Sequence, residues 1–330
     1  MNSNNLTLAV YGIQDLSDDP WPAYVHDHNL ALYDNGNLVK YLALERHTRN
    51  KYDSRLLSYI YSLLKQENLL GISNLDLVFV DNVIGRAFIS RQGNIRFEAP
   101  MNEGLSEMPE KGRGYLLDRP VEAYVVNHEL AHIFSCLPFY GPFKENSLHV
   151  HFDGGASKSN FSAWMFRNGR LRLLEYHWDL NYLASFFNAN ALAFSLVKAS
   201  RENQNSMPGK FMGYAAYGNY DGRIESWLKK HDYFKDIWGN KKLFFERVRK
   251  DWNISLKSFD QNNSFLQNIA ASFQHIFQRE LLDKMKELKQ STGAEYLYYS
   301  GGSALNIKAK AAMVNRGIFR EVFVTHCTND

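Results

Sequence analysis

The chain has 330 residues, 45% of them hydrophobic, with 22 Phe, 19 Tyr and 6 Trp, enough for two lobes or one large α/β domain with a well-filled core. The net charge of +3 is spread along the chain, so short basic runs such as Lys229-Lys230 and Lys241-Lys242 read as solvated helix faces, and nucleic acid is not the expected partner. Cys136 and Cys327 lie far apart and form no CxxC, which argues against a disulfide framework or a cysteine zinc site; Met1 to Asn5 has no signal-peptide character and no apolar run is long enough to span a bilayer, so a reducing cytoplasmic setting is the expectation.

Leu6 to Ile13 is an apolar run around Gly12 and predicts a buried strand. After Pro20 and Pro22 comes the turn His26-Asp27-His28, and then a second strand over Asn29 to Tyr33. Asp34-Asn35-Gly36-Asn37 is a hairpin signal, because Asn-Gly suits the φ > 0 positions of a tight turn. Leu38 to Leu44 returns as the third strand. Glu45 to Lys51 is a dense polar patch at a strand end, where α/β sheets carry sites. Leu56, Leu57, Ile60, Leu63 and Leu64 follow helical spacing, with Ser54 as the expected N-cap. Leu75 to Val80 predicts another buried strand. Residues 90–119, rich in Gly, Pro, Arg and Glu, predict a long connection covering a cleft.

The argument centres on Asn127-His128-Glu129-Leu130-Ala131-His132. Its preceding segment, Val121 to Val126, reads as a strand or the buried start of a helix. On a helix, His128 and His132 share one face, about 5–6 Å apart at Cβ, a spacing suited to two ligands of one metal ion. Leu130, Ile133 and Phe134 would pack that helix. The spacing alone is a weak signal in a chain with eleven histidines, so the surroundings must give it meaning.

Ser147 to Phe152 is a strand that delivers Asp153-Gly154-Gly155. This is either an ordinary turn or a phosphate-binding one whose carboxylate holds a metal. Phe161 to Arg167 and Leu171 to Trp178 form a second hairpin around Asn168-Gly169, so strand, turn and hairpin recur. Ala184 to Ser200 predicts a helix. Pro208 to Gly218 predicts a tightly packed helical turn whose Lys210 either reaches a phosphate or is structural. Residues 221–260 read as a peripheral helical insertion, and Phe265 to Gln290 as a long core helix. Tyr296 to Tyr299 is a strand that empties into Ser300-Gly301-Gly302, where bare backbone and a helix start make a nucleotide seat. Val322 to Thr325 is a last strand before Asp330.

In order and spacing these segments resemble the O-carbamoyltransferases of the NodU/CmcH type, whose core is shared with the tRNA threonylcarbamoyl transferases and with sugar kinases, actin and heat-shock chaperones. The resemblance is carried by His26-Asp27-His28, Asp34 to Gly36, Glu45-Arg46 with Arg49 and Lys51, and the His-Glu-Leu-Ala-His helix. Asp153-Gly154, Gly209 to Gly213 with Tyr217-Gly218, and Ser300-Gly301-Gly302 with Ala304-Leu305-Asn306 continue it. The chain departs from that pattern at Leu44, Asn127, Pro208, Ala156 and Ser157, where the family commonly has Glu, His, Glu and an acidic residue after the Asp-Gly turn.

The resemblance implies a two-lobed α/β fold with mixed sheets, 1–146 forming the first lobe and 147–330 a second lobe incomplete at its C-terminal end. It implies transfer of a carbamoyl group from carbamoyl-adenylate, made from ATP and carbamoyl phosphate, to a hydroxyl of a sugar, antibiotic or lipo-oligosaccharide. The alternatives are a non-catalytic nucleotide-binding module of the same fold, or threonylcarbamoyl transfer to tRNA. His128 and His132, with Asp153 or Asp330, would hold a divalent metal, iron by expectation. Asp153, Gly154, Gly155 and Lys210 would face phosphate, and Gly301, Gly302 and Asn306 the adenosine. His26 would orient the carbamoyl group or take the acceptor's proton. The adenylate would come from a YrdC-like domain that family proteins carry after this region, without which the piece is expected to be inactive. No membrane partner is expected, and a homodimer is compatible with the resemblance.

Overall fold

The computed structural model describes residues 6–13, 26–82, 85–100, 104–178, 207–233, 241–256 and 260–325. The predicted helix over Ala184 to Ser200, and Asp330, lie outside these residues.

The first half opens with β1 (Leu6–Tyr11), β2 (Asn29–Asp34) and β3 (Asn37–Ala43), an antiparallel meander. Asn35 and Gly36 turn the β2–β3 hairpin with φ of 49° and 80°, as their sequence requires. The chain then forms α1 (Leu44–Thr48) and α2 (Leu56–Gln66), so the polar patch at Glu45 to Lys51 is in part a helix. Ser54 does not cap α2; Arg55 holds that position, and the Asp53 carboxylate accepts its backbone N–H at 3.1 Å.

Next, β4 (Leu75–Val80) pairs parallel to β1. Residues 90–119 are not an unstructured cover. After β5 (Ala87–Ile89) they contribute β6 (Ile95–Glu98), β7 (Glu110–Lys111), β8 (Arg113–Leu116) and the start of β9 (Arg119–Val121). Strands β5, β6, β8 and β9 form a four-stranded antiparallel sheet. Ile95 and Phe97 alternate inward from Arg96 and Glu98, a period-two signal too short to stand out among charged neighbours. Then β10 (Ala123–Val126) lies parallel to β4 and antiparallel to β7.

Two short helices, α3 (His128–Phe134) and α4 (Leu137–Tyr140), cross to the second half. There β11 (Ser147–Phe152), β12 (Phe161–Arg167) and β13 (Arg170–His177) form another antiparallel meander. Its β12–β13 turn again places Asn168 and Gly169 at positive φ. The helices α5 (Met207–Tyr214), α6 (Gly222–Lys230), α7 (Lys241–Trp252) and α8 (Ser264–Thr292) follow. The chain returns through β14 (Tyr296–Ser300), α9 (Ile307–Asn315) and β15 (Glu321–Val324).

The leading sheet has the order β3-β2-β1-β4-β10, edged by β7, and the second has β13-β12-β11-β14-β15. In each, a meander is followed by two strands parallel to its first member. One topology is thus used twice, the two-lobed mixed α/β plan that the resemblance implies. Each sheet has its own core. One is built on Leu8, Val10, Phe79, Phe97 and Val125, and the other on Phe152, Phe161, Phe273, Phe277 and Tyr299. Ile224, Trp227, Leu228, Phe244 and Val248 belong to the second core. The segment read as peripheral is therefore structural, since its aromatic residues supply apolar area that its charges obscured.

Candidate active site

The histidine helix starts where β10 ends. Asn127 precedes it in extended conformation, donating to Asp81 Oδ2 at 3.0 Å and accepting from Ser106 N–H at 2.8 Å. His128 and His132 lie one turn apart, both buried, with ring centroids 4.7 Å apart and Nε2 atoms separated by 2.9 Å. Leu130 and Ile133 bury against Trp164, whereas Phe134 stays exposed beside Phe143. Glu129 points across to the other half. Its buried carboxylate accepts the backbone N–H groups of Ser157 and Lys158 and the Ser159 hydroxyl, at 3.2, 2.8 and 2.9 Å.

Two strand ends meet this helix. From β11 comes Asp153, whose Oδ2 accepts Gly302 N–H at 2.7 Å and lies 3.3 Å from His132 Nε2. Its Oδ1 accepts Gly154 N–H. From β14 comes Gly301, at φ +87°, where a Cβ would sit 2.5 Å from the Phe152 carbonyl oxygen. Only glycine fits there, and the close approach lets Gly302 reach Asp153. Ser157 follows the Asp153-Gly154-Gly155 turn. Its hydroxyl accepts His128 N–H at 2.7 Å and donates to Asp81 Oδ1. Burial pushes the Asp81 carboxyl above its ordinary range, opposed by the Ser157 hydroxyl and then by Arg86.

His132 Nε2 faces both His128 Nε2 and Asp153 Oδ2. One N–H of His132 can point at only one of them, and both separations are of the length that neighbouring donors around a cation show. With metal–ligand bonds of about 2.0–2.1 Å, neighbouring donors lie about 2.9 Å apart at right angles and about 3.4 Å apart in a tetrahedron. The observed 2.9 and 3.3 Å fall on those edges. The donor chemistry and spacing fit a divalent cation.

A further histidine enters that the motif reading passed over. His132, His151 and Asp153 each offer a donor atom, all within 4.8 Å of one another. His151 and Asp153 are two apart along the line of β11, and period-two alternation would have put them on one face. His149 shares that parity but has a different role. It stacks on Tyr298 at 4.6 Å and bonds Ser147, and burial holds its imidazole down to about 3, so it packs as a neutral ring.

The remaining predicted residues are dispersed. His26 is buried, with Nδ1 2.7 Å from Asp27 Oδ2. A carboxylate only accepts, so Nδ1 carries the proton and Nε2 is the basic nitrogen. A cavity of 740 Å³ beside this turn is lined by Asp27, Glu45, Arg46, His47, Lys51 and Tyr52. The turn connects to the histidine helix through Tyr11, whose ring stands edge-on to both His28 and His128. Gly154 is exposed and Gly155 half-buried, while Lys210 is exposed on α5. Asn306, expected at the adenosine, has protein partners for its side chain. Its side chain caps α9 by accepting Ala309 N–H at 3.0 Å and exchanges two hydrogen bonds with Gln274 of α8.

The same strand order is thus used twice, with a histidine–carboxylate cluster at the crossover between the two sheets. The Carbamoyltransferase N-terminus family matches residues 110–330, and the chain belongs to that family. It is similar to Nodulation protein U of Azorhizobium caulinodans, 21% identical over 92% of this chain and 59% of that protein. It is also similar to Nodulation protein NolNO of Sinorhizobium fredii, 21% identical over 93% of this chain and 45% of that protein. The chain thus spans about half the length of the curated relatives it matches. Among solved structures, full-length HypF in its phosphate- and nucleotide-bound form aligns over 97% of this chain and 52% of that one, with a TM-score of 0.48 and 13% identity. Among the described residues no helix is long and apolar enough to cross a membrane.

Proposed function

We propose that this chain, with 1–146 and 147–330 as its lobes, carries the transfer centre of an O-carbamoyltransferase that moves a carbamoyl group from carbamoyl-adenylate to a hydroxyl of a small molecule. Family membership supports the reaction class. The observation that carries the site is Asp153, held by Gly302 N–H at 2.7 Å and set 3.3 Å from His132, because it joins both glycine turns to the histidine helix.

In this reading the acceptor oxygen bonds to the carbamoyl carbon, the carbon–oxygen bond to the phosphate breaks, and AMP departs. His26 Nε2 takes the acceptor's proton, with Asp27 fixing the ring through Nδ1. Gly154, Gly155, Gly301 and Gly302 offer backbone at the strand ends for phosphate and nucleotide, and His128, His132 and Asp153 are the proposed metal donors. When bound there, a divalent cation such as iron supplies Lewis-acid stabilisation of the leaving phosphate. The adenylate comes from a YrdC-like partner domain, in the cytoplasm. The 740 Å³ cavity lined by Asp27, the neighbour of His26 in the chain, has room for an acceptor of sugar or aminoglycoside size, with Asp27, Glu45, Arg46 and Lys51 for its hydroxyls and amines and Tyr41, Leu42 and Leu63 for its apolar faces.

The test supplies carbamoyl-adenylate, a divalent cation and a panel of sugars, aminoglycosides and lipo-oligosaccharides, and reads carbamoylated product by mass spectrometry. Product should form, and His26→Ala should cut turnover at least about 100-fold. Absence of product from every hydroxyl acceptor sinks the reaction. Unchanged turnover in His26→Ala sinks the assignment of the base.

A further inference from the structure

We propose that His151 is a third imidazole ligand of the cation site, which makes the chain selective for zinc- or iron-like ions over magnesium. The inference rests on the metal reading of His128, His132 and Asp153 above, and extends it to a residue of the second sheet.

Three observations converge on His151. It is buried in the centre of the second sheet, on β11, flanked by β12 and β14. Its ring lies parallel to that of His132, with centroids 5.1 Å apart and planes within 24°. It offers a donor atom within 4.8 Å of donors on both His132 and Asp153. A strand holds such a side chain more firmly than a loop, so the separation is a property of the fold.

The ring is also oriented from behind. His151 Nδ1 faces Ser162 Oγ at 3.5 Å, and Ser162 itself accepts the Trp164 indole N–H at 2.9 Å. With the indole on one lone pair, the serine oxygen stays turned toward the Nδ1 edge of the ring, which leaves Nε2 at the far edge. Metal-bound histidines are commonly oriented by such an outer hydrogen bond.

The chemical consequence follows from the donor count. Two imidazoles and a carboxylate are a common set for several divalent ions. A third imidazole moves the set toward zinc, iron, cobalt and nickel and away from magnesium, which prefers oxygen and retained water.

The experiment compares the 330-residue chain with its His151→Leu, His151→Gln and His128→Ala/His132→Ala variants. Each is stripped of metal and titrated with Zn2+, Co2+ and Mg2+, with folding checked by circular dichroism. Zinc binding and the visible spectrum of the Co2+ form are the readouts. Wild type should bind zinc well ahead of magnesium and give the intense bands of a low-coordinate, nitrogen-rich cobalt site. Both His151 variants should bind zinc about 10–100-fold more weakly and lose that spectrum; His151→Gln, close in size and polar, covers the case in which the leucine fails to fold. Zinc affinity and cobalt bands unchanged in a folded His151 variant overturn the inference while the metal reading stands, provided His128→Ala/His132→Ala abolishes binding. Failure of wild type to bind any of the three ions overturns both.

Discussion

Buried carboxylates in this protein are held by different devices. Glu129 is surrounded by donors and Asp81 by a hydroxyl, an amide and Arg86. Glu225 on α6 instead meets Arg279 of α8 through two bonds of 2.9 and 3.0 Å, with Lys229 and Tyr220 adding to it. Hydrogen bonding from Arg279, opposed by burial, is the leading influence and brings the Glu225 carboxyl from its ordinary 4.5 down to about 2. The folded state therefore binds its proton less readily than the unfolded chain. The resulting stabilisation is fully present above about pH 4.5 and is lost as pH falls toward about 2. Glu225→Gln should cost about 1–2 kcal/mol at pH 7, a figure moderated by the partial exposure of Arg279. Urea midpoints at pH 7 and pH 3 check this: the gap should narrow at the lower pH, and an equal gap at both would show that the pair does not titrate.

The elements most legible in the sequence were those with strong local signals. Asn35-Gly36 and Asn168-Gly169 announced both hairpins because few other residues accept two successive positive φ values. The helix over Ser264–Thr292 showed its apolar stripe over many turns. Harder to read were short strands and long-range pairings. The β5-β6-β8-β9 sheet is made of strands of three or four residues, below the length at which alternation is distinctive. Asn306 is a related case, since the resemblance puts it at the adenosine, yet Gln274 from α8 exchanges hydrogen bonds with its amide. Asn306→Ala should lower stability by about 2–3 kcal/mol, through loss of the α9 cap and a buried glutamine left unpaired. Nucleotide affinity measured by calorimetry on the folded variant should stay within about twofold; a large loss would restore Asn306 to the adenosine site.

At the scale of the whole molecule, the two cores are joined by a polar clamp that no sequence window contains. Ser157, from the loop after β11, bonds Asp81 at the end of β4 and the first N–H of the histidine helix. Those partners are 76 and 29 positions away, so their meeting was visible only after folding. The strand that delivers Asp153 and the spacing of His128 and His132 could be read in advance; the bonds that hold them together could not. Ser157→Ala leaves a buried carboxylate and a helix N–H each short of a partner, and should cost about 2–3 kcal/mol in equilibrium unfolding. A change below about 0.5 kcal/mol would show that the clamp contributes little.

The shared strand order of the two sheets gives the crossover a mechanical meaning. His128 and His132 sit on the short helix through which the first sheet is covalently tethered to the second, and Leu130 and Ile133 of that helix pack on Trp164 of β12. All four groups, His128, His132, His151 and Asp153, are therefore carried on the second core, and the first sheet meets them from outside, through Asp81 and Tyr11. A displacement of the first sheet would leave the four together and load the start of the helix instead, at Asn127 and Ser157.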